Sequence, residues 1–304
     1  MKASIDIGTN TALLLVAETD GDNLTVIEEQ QRIPRLGAGV DNSKELSKEA
    51  MRRAVESLRE FRELVATNYP EVNDIFVTAT SAVRDATNKA AFVDLVAEET
   101  GLQVQVLSGA EEAEYTFLGA RSVLYNIDGP KMIIDIGGGS TEIAYGTEEL
   151  HDRHSYDMGC VRFTERFLQS DPPTDLQIQE CQHGIRKVLA AYEFNVTYQT
   201  TLVGVAGTVT SLAFIDLGLS SYDPKSLSGH LITRERLKNY INRFSSYTSD
   251  KLEQKYPSVM KGRADIFMAG LLILDEFMDE YNFHELITST GGIRHGTILM
   301  NRDK

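Results

Sequence analysis

The sequence predicts an α/β protein built from two similar domains, each a mixed β-sheet flanked by helices. Two observations carry this prediction. The phrase "IDIGTNT" at residues 5–11 returns as "IDIGGGST" at residues 134–141. Each phrase opens a run of three strand-like segments, which is followed by helices alternating with further strands. A chain of 304 residues is long enough for two domains, so a duplicated domain explains the repeat.

In the first half, three consecutive strands lead into alternating helices and strands. Apolar alternation predicts the three strands at 2–8, 11–19 and 24–33, with a turn at "DGDN" between the last two. The later pattern predicts a helix from Ser43 to about Asn68, a strand at 74–80, a polar loop at 81–88, a helix near 89–100, a strand at 102–108 and a helix from Gly109. Hairpin strands followed by strand–helix crossovers predict a mixed sheet.

The second half repeats this order after a candidate linker, "NIDGP", at residues 126–130. We therefore place an N-terminal domain at residues 1–125 and a C-terminal domain at residues 126–304. Strands are predicted at 132–138, 141–147 and 150–159, then helices from about 161, a strand at 200–207, a helix at 263–281, a strand at 285–290 and a terminal helix.

Composition excludes several classes of protein. The net charge of −15 argues against a nucleic-acid binder that works by broad charge neutralisation, although a polyanionic substrate could still bind at a local cationic or metal-lined site. No run of 18 apolar residues predicts a membrane span, and the first residues lack signal-peptide anatomy. Cys160 and Cys181 have no metal or disulfide spacing, so we expect a cytoplasmic protein.

The two repeated phrases are candidate phosphate-binding loops. In each, a buried strand ends in Asp-Ile-Gly before a turn rich in glycine, hydroxyl and amide side chains. Glycine lets the backbone approach a ligand closely, and successive backbone N–H groups form an anion-binding nest. The candidate binding residues are Gly8, Thr9, Asn10 and Thr11 in the first loop, and Gly137, Gly138, Gly139, Ser140 and Thr141 in the second. Ordinary hairpin turns are the alternative for either loop alone.

Acidic side chains beside these loops predict a metal site. Asp6 and Asp135 lie at strand ends where a lone carboxylate would repel phosphate, so a hard cation such as Mg²⁺ is the economical explanation. Glu142 can join them. Two such loops at equivalent points of a duplicated domain are expected to face each other across an interdomain cleft and hold one phosphate chain.

Two further glycine turns follow strands in the second half, "GVAGTVTS" at 204–211 and "STGGIRHG" at 289–296. Gly207 and Thr208 belong to the first of them. A helix N-terminus after such a turn offers donors and a positive dipole end to an anion. Close packing of a helix on the sheet is the alternative.

Together, these segments closely resemble the exopolyphosphatase/guanosine pentaphosphate phosphatase (Ppx/GppA) family of the actin/Hsp70/sugar-kinase superfamily, over nearly the whole chain. Further matching segments are "RLGAGVD" (35–41), "TSAVRDATN" (80–88), "SGAEEAEYTFLGA" (108–120), "MGCVRFTERF" (158–167) and "RADIFMAG" (263–270). The resemblance implies two ribonuclease H-like, actin-like ATPase domains. His295 stands where a glutamate is common in the family, so we assign that position no role.

The resemblance implies hydrolysis of a terminal phosphoanhydride, with Glu112 as the catalytic glutamate and Arg84 as the loop arginine. Partial burial near other carboxylates would raise the pKa of Glu112 and suit it as a general base. Helix-start acids favoured by the dipole are the alternative for Glu111, Glu112 and Glu114. A salt bridge with Asp85 is the alternative for Arg84.

The sequence allows more than one substrate. Inorganic polyphosphate and guanosine pentaphosphate are both candidates, and a kinase of the same fold or a non-catalytic sensor are further alternatives. Longer relatives carry C-terminal helical domains, so a chain without them and with a strongly acidic balance is expected to prefer short polyphosphate. A homodimer is only a family-level expectation, and neither nucleic acid nor a membrane is an expected partner.

Overall fold

The computed structural model describes residues 1–21, 23–124 and 127–303, which divide into two compact units. The first unit comprises Met1–Ser122 together with Gly291–Lys304, and the second comprises Val123–Thr290. The predicted boundary falls on residues 125 and 126, which lie outside the described residues.

The helices and strands follow one another along the chain in the predicted alternation. The first stretch contains β1 (Lys2–Ile7), β2 (Ala12–Asp20), β3 (Asn23–Arg32), α1 (Val40–Ser43), α2 (Lys48–Asn68), β4 (Ile75–Ala79), α3 (Ser81–Arg84), α4 (Lys89–Thr100), β5 (Val104–Val106) and α5 (Gly109–Val123). The second contains β6 (Lys131–Ile136), β7 (Thr141–Gly146), β8 (Leu150–Tyr156), α6 (Cys160–Phe167), α7 (Asp175–Leu189), β9 (Thr201–Val205), α8 (Ala206–Leu217), α9 (Pro224–Leu227), β10 (Leu231–Thr233), α10 (Arg234–Phe244), α11 (Ser249–Lys255), α12 (Pro257–Met260), α13 (Ala264–Glu280), β11 (Glu285–Thr288) and α14 (Ile293–Met300).

The last helix, α14, belongs to the first unit. It packs against β1, β2 and β4 of that unit's sheet. Its buried Ile298 completes a small apolar cluster with Leu15 and Ala17 of β2. The predicted C-terminal domain over residues 126–304 therefore differs from the structure at this end, because the chain returns to the first unit after Thr290.

The sheet of the first unit has five strands in the order β3-β2-β1-β4-β5. The hairpin pairs β1–β2 and β2–β3 are antiparallel, whereas β1–β4 and β4–β5 are parallel. The predicted mixed sheet is thus confirmed. Parallel pairing places the ends of β1 and β4 at the same edge, where the first glycine loop and α3 begin.

The sheet of the second unit repeats this arrangement and adds one strand. Its order is β10-β11-β9-β6-β7-β8, so that β8-β7-β6-β9-β11 corresponds to the five strands of the first unit. β6 pairs with β7 antiparallel and with β9 parallel, as β1 does with β2 and β4. The equivalent strand orders support the duplication that the repeated phrase predicts.

Two local predictions differ from the structure, and one strand was not predicted. The predicted helix at 43–68 begins at Lys48, because Lys44 has a left-handed backbone and the Ser47 side chain accepts from Ala50 N as the N-cap. The predicted loop at 81–88 begins with the short helix α3. The strand β10 was not predicted, because three residues give too short an apolar pattern.

Each unit has its own hydrophobic core, which holds the loops at the sheet edges in place. In the first unit the core lies between the sheet and α2 and α4, with Phe61 and Phe92 fully buried. In the second it is centred on α13, which is buried along most of its length. Within the described part of the chain, no helix is long and apolar enough to cross a membrane.

Candidate active site

The first glycine loop is a tight turn fixed from two sides. Gly8 N donates to Thr11 O at 2.9 Å, which closes the turn between β1 and β2. The segment after β3 lies against the loop, since Gly37 N donates to Thr9 O at 2.8 Å. A Cβ on Gly37 would lie 2.3 Å from Thr9 Cγ2, so only glycine allows this approach. The predicted loop residues are therefore held in one conformation next to the buried Asp6.

The helix α3 connects this loop to the predicted catalytic pair. Thr9 Oγ1 and Ser81 Oγ share a hydrogen bond of 3.0 Å, and Ser81 opens α3. Arg84 closes the same helix and donates from Nη1 to Glu112 Oε2 at 2.7 Å. The structure thus brings the first loop, Arg84 and Glu112 together within the first unit. Ser81 was not among the predicted site residues, although it lies in the family-like segment at 80–88.

Glu112 differs sharply from its acidic neighbours on α5. It is 6 % exposed, whereas Glu111 is exposed and accepts from Ser108 N at 2.8 Å and Ser108 Oγ at 2.7 Å. Because Glu111 N also donates to Ser108 Oγ, Glu111 acts as a reciprocal cap of its own helix. The dipole alternative therefore describes Glu111, whereas Glu112 is buried against the Arg84 guanidinium.

The closest contact described for the Glu112 carboxylate is the Arg84 guanidinium. That other carboxylates lie near it stays a prediction. Asp85 is a weaker partner of Arg84, with 3.8 Å between Nε and Oδ1. Arg84 Nη1 also donates to Leu107 O at 3.2 Å, which fixes the guanidinium in front of α5.

Two glycines lock α5 against α14 within the first unit. A Cβ on Gly119 would lie 1.9 Å from Gly292 O, and a Cβ on Gly296 would lie 1.8 Å from Tyr115 O. Both positions therefore require glycine for backbone contact between the two segments. Since α5 carries Glu112, this contact fixes the helix that positions the carboxylate.

His295, next to Gly296, is buried. It is 2 % exposed, and no hydrogen bond to its Nδ1 is found among the described residues. Burial, assisted by the neighbouring Arg294, lowers the pKa of His295 to about 3. The imidazole is therefore neutral at ordinary pH, and the structure gives it a packing role.

The second glycine loop is held by the start of α6. Gly137 N donates to Ser140 O at 3.0 Å, as Gly8 does to Thr11 in the first loop. Val161 N donates to Gly138 O at 2.8 Å, so that part of the helix N-terminus is used to hold the loop itself. A Cβ on Gly159 would lie 2.5 Å from Gly138, which explains the glycine before α6.

Side chains of the second loop also have structural duties. Thr141 Oγ1 donates to Met158 O at 2.7 Å, so its hydroxyl proton is not available to a phosphate. Ser140 and Thr141 are both buried. Backbone groups are the more direct candidates for phosphate contact at this loop, because glycine predominates over residues 137–139.

Asp135 and Glu142 are directly opposite each other on β6 and β7. Cross-strand partners have their side chains on the same face of the sheet, where two like charges destabilise the pair. Ser155 Oγ donates to Glu142 Oε1 at 2.6 Å, which orients this carboxylate but adds no positive charge. Two carboxylates and a phosphate form the oxygen-rich ligand set that Mg²⁺ prefers, so these residues fit a magnesium ion.

Asp6 is separate from this pair in the sequence and belongs to the first unit, where it pairs with Leu13 across the hairpin. Among the described residues, no group of three or more histidine, cysteine, aspartate or glutamate side chains forms a complete metal cage. The predicted ion would accordingly depend on substrate and water oxygens as well as protein carboxylates.

The third glycine turn begins α8 beside the second loop. Asp135 of β6 pairs with Val205 of β9, so the parallel strands bring both turns to one edge of the sheet. Ala206 has φ of +64°, a left-handed conformation that lets the chain turn sharply into the helix. The Thr208 side chain lies against α13, where a Cβ on Gly270 would be 2.5 Å from its Oγ1. Helix packing, the alternative for this turn, therefore accounts for that side chain.

Arg263 is a further candidate for the site, which the sequence did not single out. A Cβ on Gly207 would lie 2.3 Å from Arg263 Nη1, so the guanidinium rests directly on the backbone of this turn. Nη1 also donates to Ser211 Oγ at 3.2 Å. Burial lowers the pKa of Arg263. One indication of it was available: Arg263 opens the segment "RADIFMAG", which matches the family but suggested no role for the arginine.

The sequence of the chain is similar to those of known phosphatases. Residues 15–304 match the model of the Ppx/GppA phosphatase family. Exopolyphosphatase 2 of Mycobacterium tuberculosis is 33% identical over 289 residues, which cover 91% of this chain and 90% of the relative.

Two solved structures share the fold. The Aquifex aeolicus member of the Ppx/GppA family superposes with a TM-score of 0.82 at 29% identity, covering 99% of this chain and 96% of that one. An exopolyphosphatase from Cytophaga hutchinsonii superposes with a TM-score of 0.89 at 26% identity, covering 98% of this chain and 97% of that one.

Proposed function

The chain belongs to the Ppx/GppA phosphatase family, and on that premise we propose that it releases terminal orthophosphate from inorganic polyphosphate with Glu112 as general base. Membership makes the chain a hydrolase of phosphoanhydride bonds, with polyphosphate or guanosine pentaphosphate as the substrate class. The observation that supports the catalytic role most strongly is the buried Glu112 carboxylate held by Arg84 at 2.7 Å.

In this mechanism, Glu112 accepts a proton from the water that attacks the terminal phosphorus. Arg84 holds Oε2 and thereby fixes the direction of the carboxyl group. Phosphoryl transfer passes through a loose transition state, so positioning of the water and stabilisation of dispersed charge supply most of the rate. The guanidinium of Arg84 also supplies positive charge to the transferred phosphoryl group.

The glycine loops bind the phosphate chain in this proposal. Gly8 N and Gly137 N close the two turns, so the other backbone N–H groups of residues 8–11 and 137–141 form the two nests. Gly207 with Arg263 adds a third binding element. That the loops of the two units act on the same substrate stays a prediction, which the family resemblance supports. Thr208 contributes through its backbone, since its side chain packs on α13.

Magnesium is the proposed cofactor, with Asp135 and Glu142 as its protein ligands in the second unit and Asp6 as the predicted ligand in the first. The like-charged pair on β6 and β7 supports this assignment. A bound ion would neutralise phosphate charge and orient the substrate. The chain's own carboxylates provide the oxygen ligands and leave coordination positions for substrate and water.

Short polyphosphate is the proposed preference, because the net charge of −15 opposes the binding of a long polyanion over an extended surface. A phosphate-release assay with magnesium on short polyphosphate, long polyphosphate, guanosine pentaphosphate and ATP tests the function. Faster turnover of long chains would contradict the length preference. Faster turnover of guanosine pentaphosphate would make that nucleotide the substrate. ATP consumption only with an added acceptor would indicate a kinase.

A further inference from the structure

A depression on the surface of the second unit lies outside all the residues assigned above. It is lined by Asp216, near the end of α8, and by Arg236, Asn239, Tyr240 and Arg243 of α10. Residues three and four positions apart lie on the same face of a helix, so the four α10 side chains share one face. The volume of the depression is about 250 Å³. One water molecule takes up about 30 Å³ in the liquid, so the depression has room for a small polyatomic ion.

Asp216 holds the wall of this depression in place. Its side chain is 2% exposed. Oδ2 accepts from Arg236 Nη1 at 2.9 Å and lies 2.7 Å from His230 Nε2, while the Tyr240 hydroxyl donates to Oδ1 at 3.0 Å. Burial, assisted by Asp216, raises the pKa of Tyr240 to about 12, so the phenol stays protonated and uncharged. The carboxylate of the lining is therefore buried and balanced by Arg236, which leaves an anion free to approach.

Most donors of the two arginines remain available to a ligand. Within the described part of the chain, Arg236 donates only from Nη1, and Arg243 donates only from Nε, to the Tyr247 hydroxyl at 3.4 Å. A guanidinium carries five N–H groups, so each arginine keeps about four. The Asn239 side chain adds its amide, for which residues 1–21, 23–124 and 127–303 provide no hydrogen-bond partner. These donors all belong to the lining of one depression.

The chemistry of the lining selects a small inorganic oxyanion. Arg236 and Arg243 supply two positive charges against the single negative charge of Asp216, on a chain whose net charge is −15. The lining residues include no aliphatic side chain that could cover the organic part of a larger ligand. A carboxylate has two oxygens and one charge, whereas phosphate has more oxygens and up to two charges. Phosphate therefore matches two planar guanidinium groups better.

We propose that this depression binds inorganic phosphate, with the guanidinium groups of Arg236 and Arg243 and the amide of Asn239 as donors to its oxygens. The two arginines are seven residues apart, about 10 Å along the helix axis, so each approaches the ion from its own side. The site goes beyond the proposed hydrolysis and does not depend on it. It shares no residue with the glycine loops, Glu112 or the predicted magnesium ligands. Phosphate could therefore act on the protein here without competing for the glycine loops.

Modification of the full chain by phenylglyoxal, with and without orthophosphate, tests the proposal. This reagent labels accessible guanidinium groups, and mass spectrometry of the peptides gives the rate at each arginine. Modification of Arg236 and Arg243 should slow about tenfold at a phosphate concentration ten times the dissociation constant, with one half-protection concentration for both. The exposed Arg52 of α2 is the internal control and should react at an unchanged rate. The measurement needs no turnover, so its result is independent of whether hydrolysis occurs.

Two aspartate variants on α10 locate the ion. Asn239→Asp adds a negative charge inside the depression and should raise the half-protection concentration at least about tenfold. The matched control Asn242→Asp makes the same change at an exposed residue of the same helix outside the lining, and should be protected as the wild type is. Unchanged modification of Arg236 and Arg243 at tens of millimolar phosphate would overturn the proposal. Equal protection in the two variants would also overturn it, because the ion would then not lie against Asn239.

Discussion

Arg84 donates from Nη1 to Glu112 Oε2 at 2.7 Å, joining the end of α3 to the first turn of α5. The same short helix begins at Ser81, which is hydrogen-bonded to Thr9 of the first glycine loop. A phosphate-binding loop and a candidate base are thus connected through four residues. The orientation of the carboxylate depends on α3 as much as on its own helix.

Replacing Arg84 by lysine should lower kcat by about 100-fold, with a smaller effect on KM. Lysine keeps the positive charge but loses the planar guanidinium, whose Nη1 donates to both Glu112 and the Leu107 carbonyl. Steady-state phosphate release measures the change. Arg59→Lys, at a half-buried position on α2, serves as the control. A kcat of Arg84→Lys near the wild-type value would remove Arg84 from the mechanism.

Asp135→Asn should raise stability in the absence of magnesium by about 0.2–1 kcal/mol, since it removes a like-charged cross-strand pair with Glu142. The same variant should lose most of the thermal stabilisation that magnesium gives the wild type. Its activity should fall and be partly restored by extra magnesium. Thermal unfolding with and without the ion measures the first two effects.

Glu149→Gln, at an exposed turn position, is the control for this experiment. An Asp135→Asn variant that responds to magnesium as strongly as the control does would show that Asp135 is not a ligand.

Gly296→Ala should destabilise the protein by about 1–3 kcal/mol, because its methyl group would meet the Tyr115 carbonyl. It should also reduce kcat, since the displaced helix carries Glu112. Gly292→Ala is a matched control on the same segment, where an added Cβ meets nothing within 4 Å. Equal denaturation midpoints for the two variants would contradict the close packing of α5 and α14.

His295 predicts a specific pH dependence of stability. Burial lowers its pKa to about 3, against 6.5 for an ordinary histidine. Below pH 6.5 the unfolded chain binds a proton that the folded chain does not, so the free energy of unfolding falls as the pH decreases from 6.5 towards 3. The loss is about 2 kcal/mol at pH 5.

Chemical denaturation at pH 7.5 and pH 5 compares the wild type with His295→Gln. The variant should lose less stability over this interval, because the remaining titrating groups are common to both proteins. An equal loss in both proteins would show that His295 is accessible to protons in the folded state.

Repetition and strand periodicity predicted most of the architecture. The phrase around Asp6 returns around Asp135, and the two strands β1 and β6 have equivalent neighbours in their sheets. The return of α14 to the first unit could not be predicted, because chain order carries no information on which sheet a terminal helix covers. The glycine at position 296 was a weak sign of this return, because the structure explains it by the contact with Tyr115.

The sequence indicated which residues belong to the candidate site better than it indicated which of them contact each other. Burial separates Glu112 from Glu111, and this difference was expected only from the resemblance. The sequence named Arg84 and Glu112 as site residues but not their hydrogen bond, because that contact depends on the pairing of β4 with β5, which brings α3 close to α5. Arg263 was missed because its contact with Gly207 joins residues 56 positions apart in the sequence.

Phosphate release from tripolyphosphate by the wild type, Glu112→Gln and Glu111→Gln, with substrate binding measured in parallel, tests the central claim most directly. The account predicts that the rate of phosphate release by Glu112→Gln falls at least about a thousandfold, because the variant lacks the general base. Substrate binding should be largely kept. Glu111→Gln, the exposed neighbour, should remain active. Near-normal release by Glu112→Gln would contradict the account.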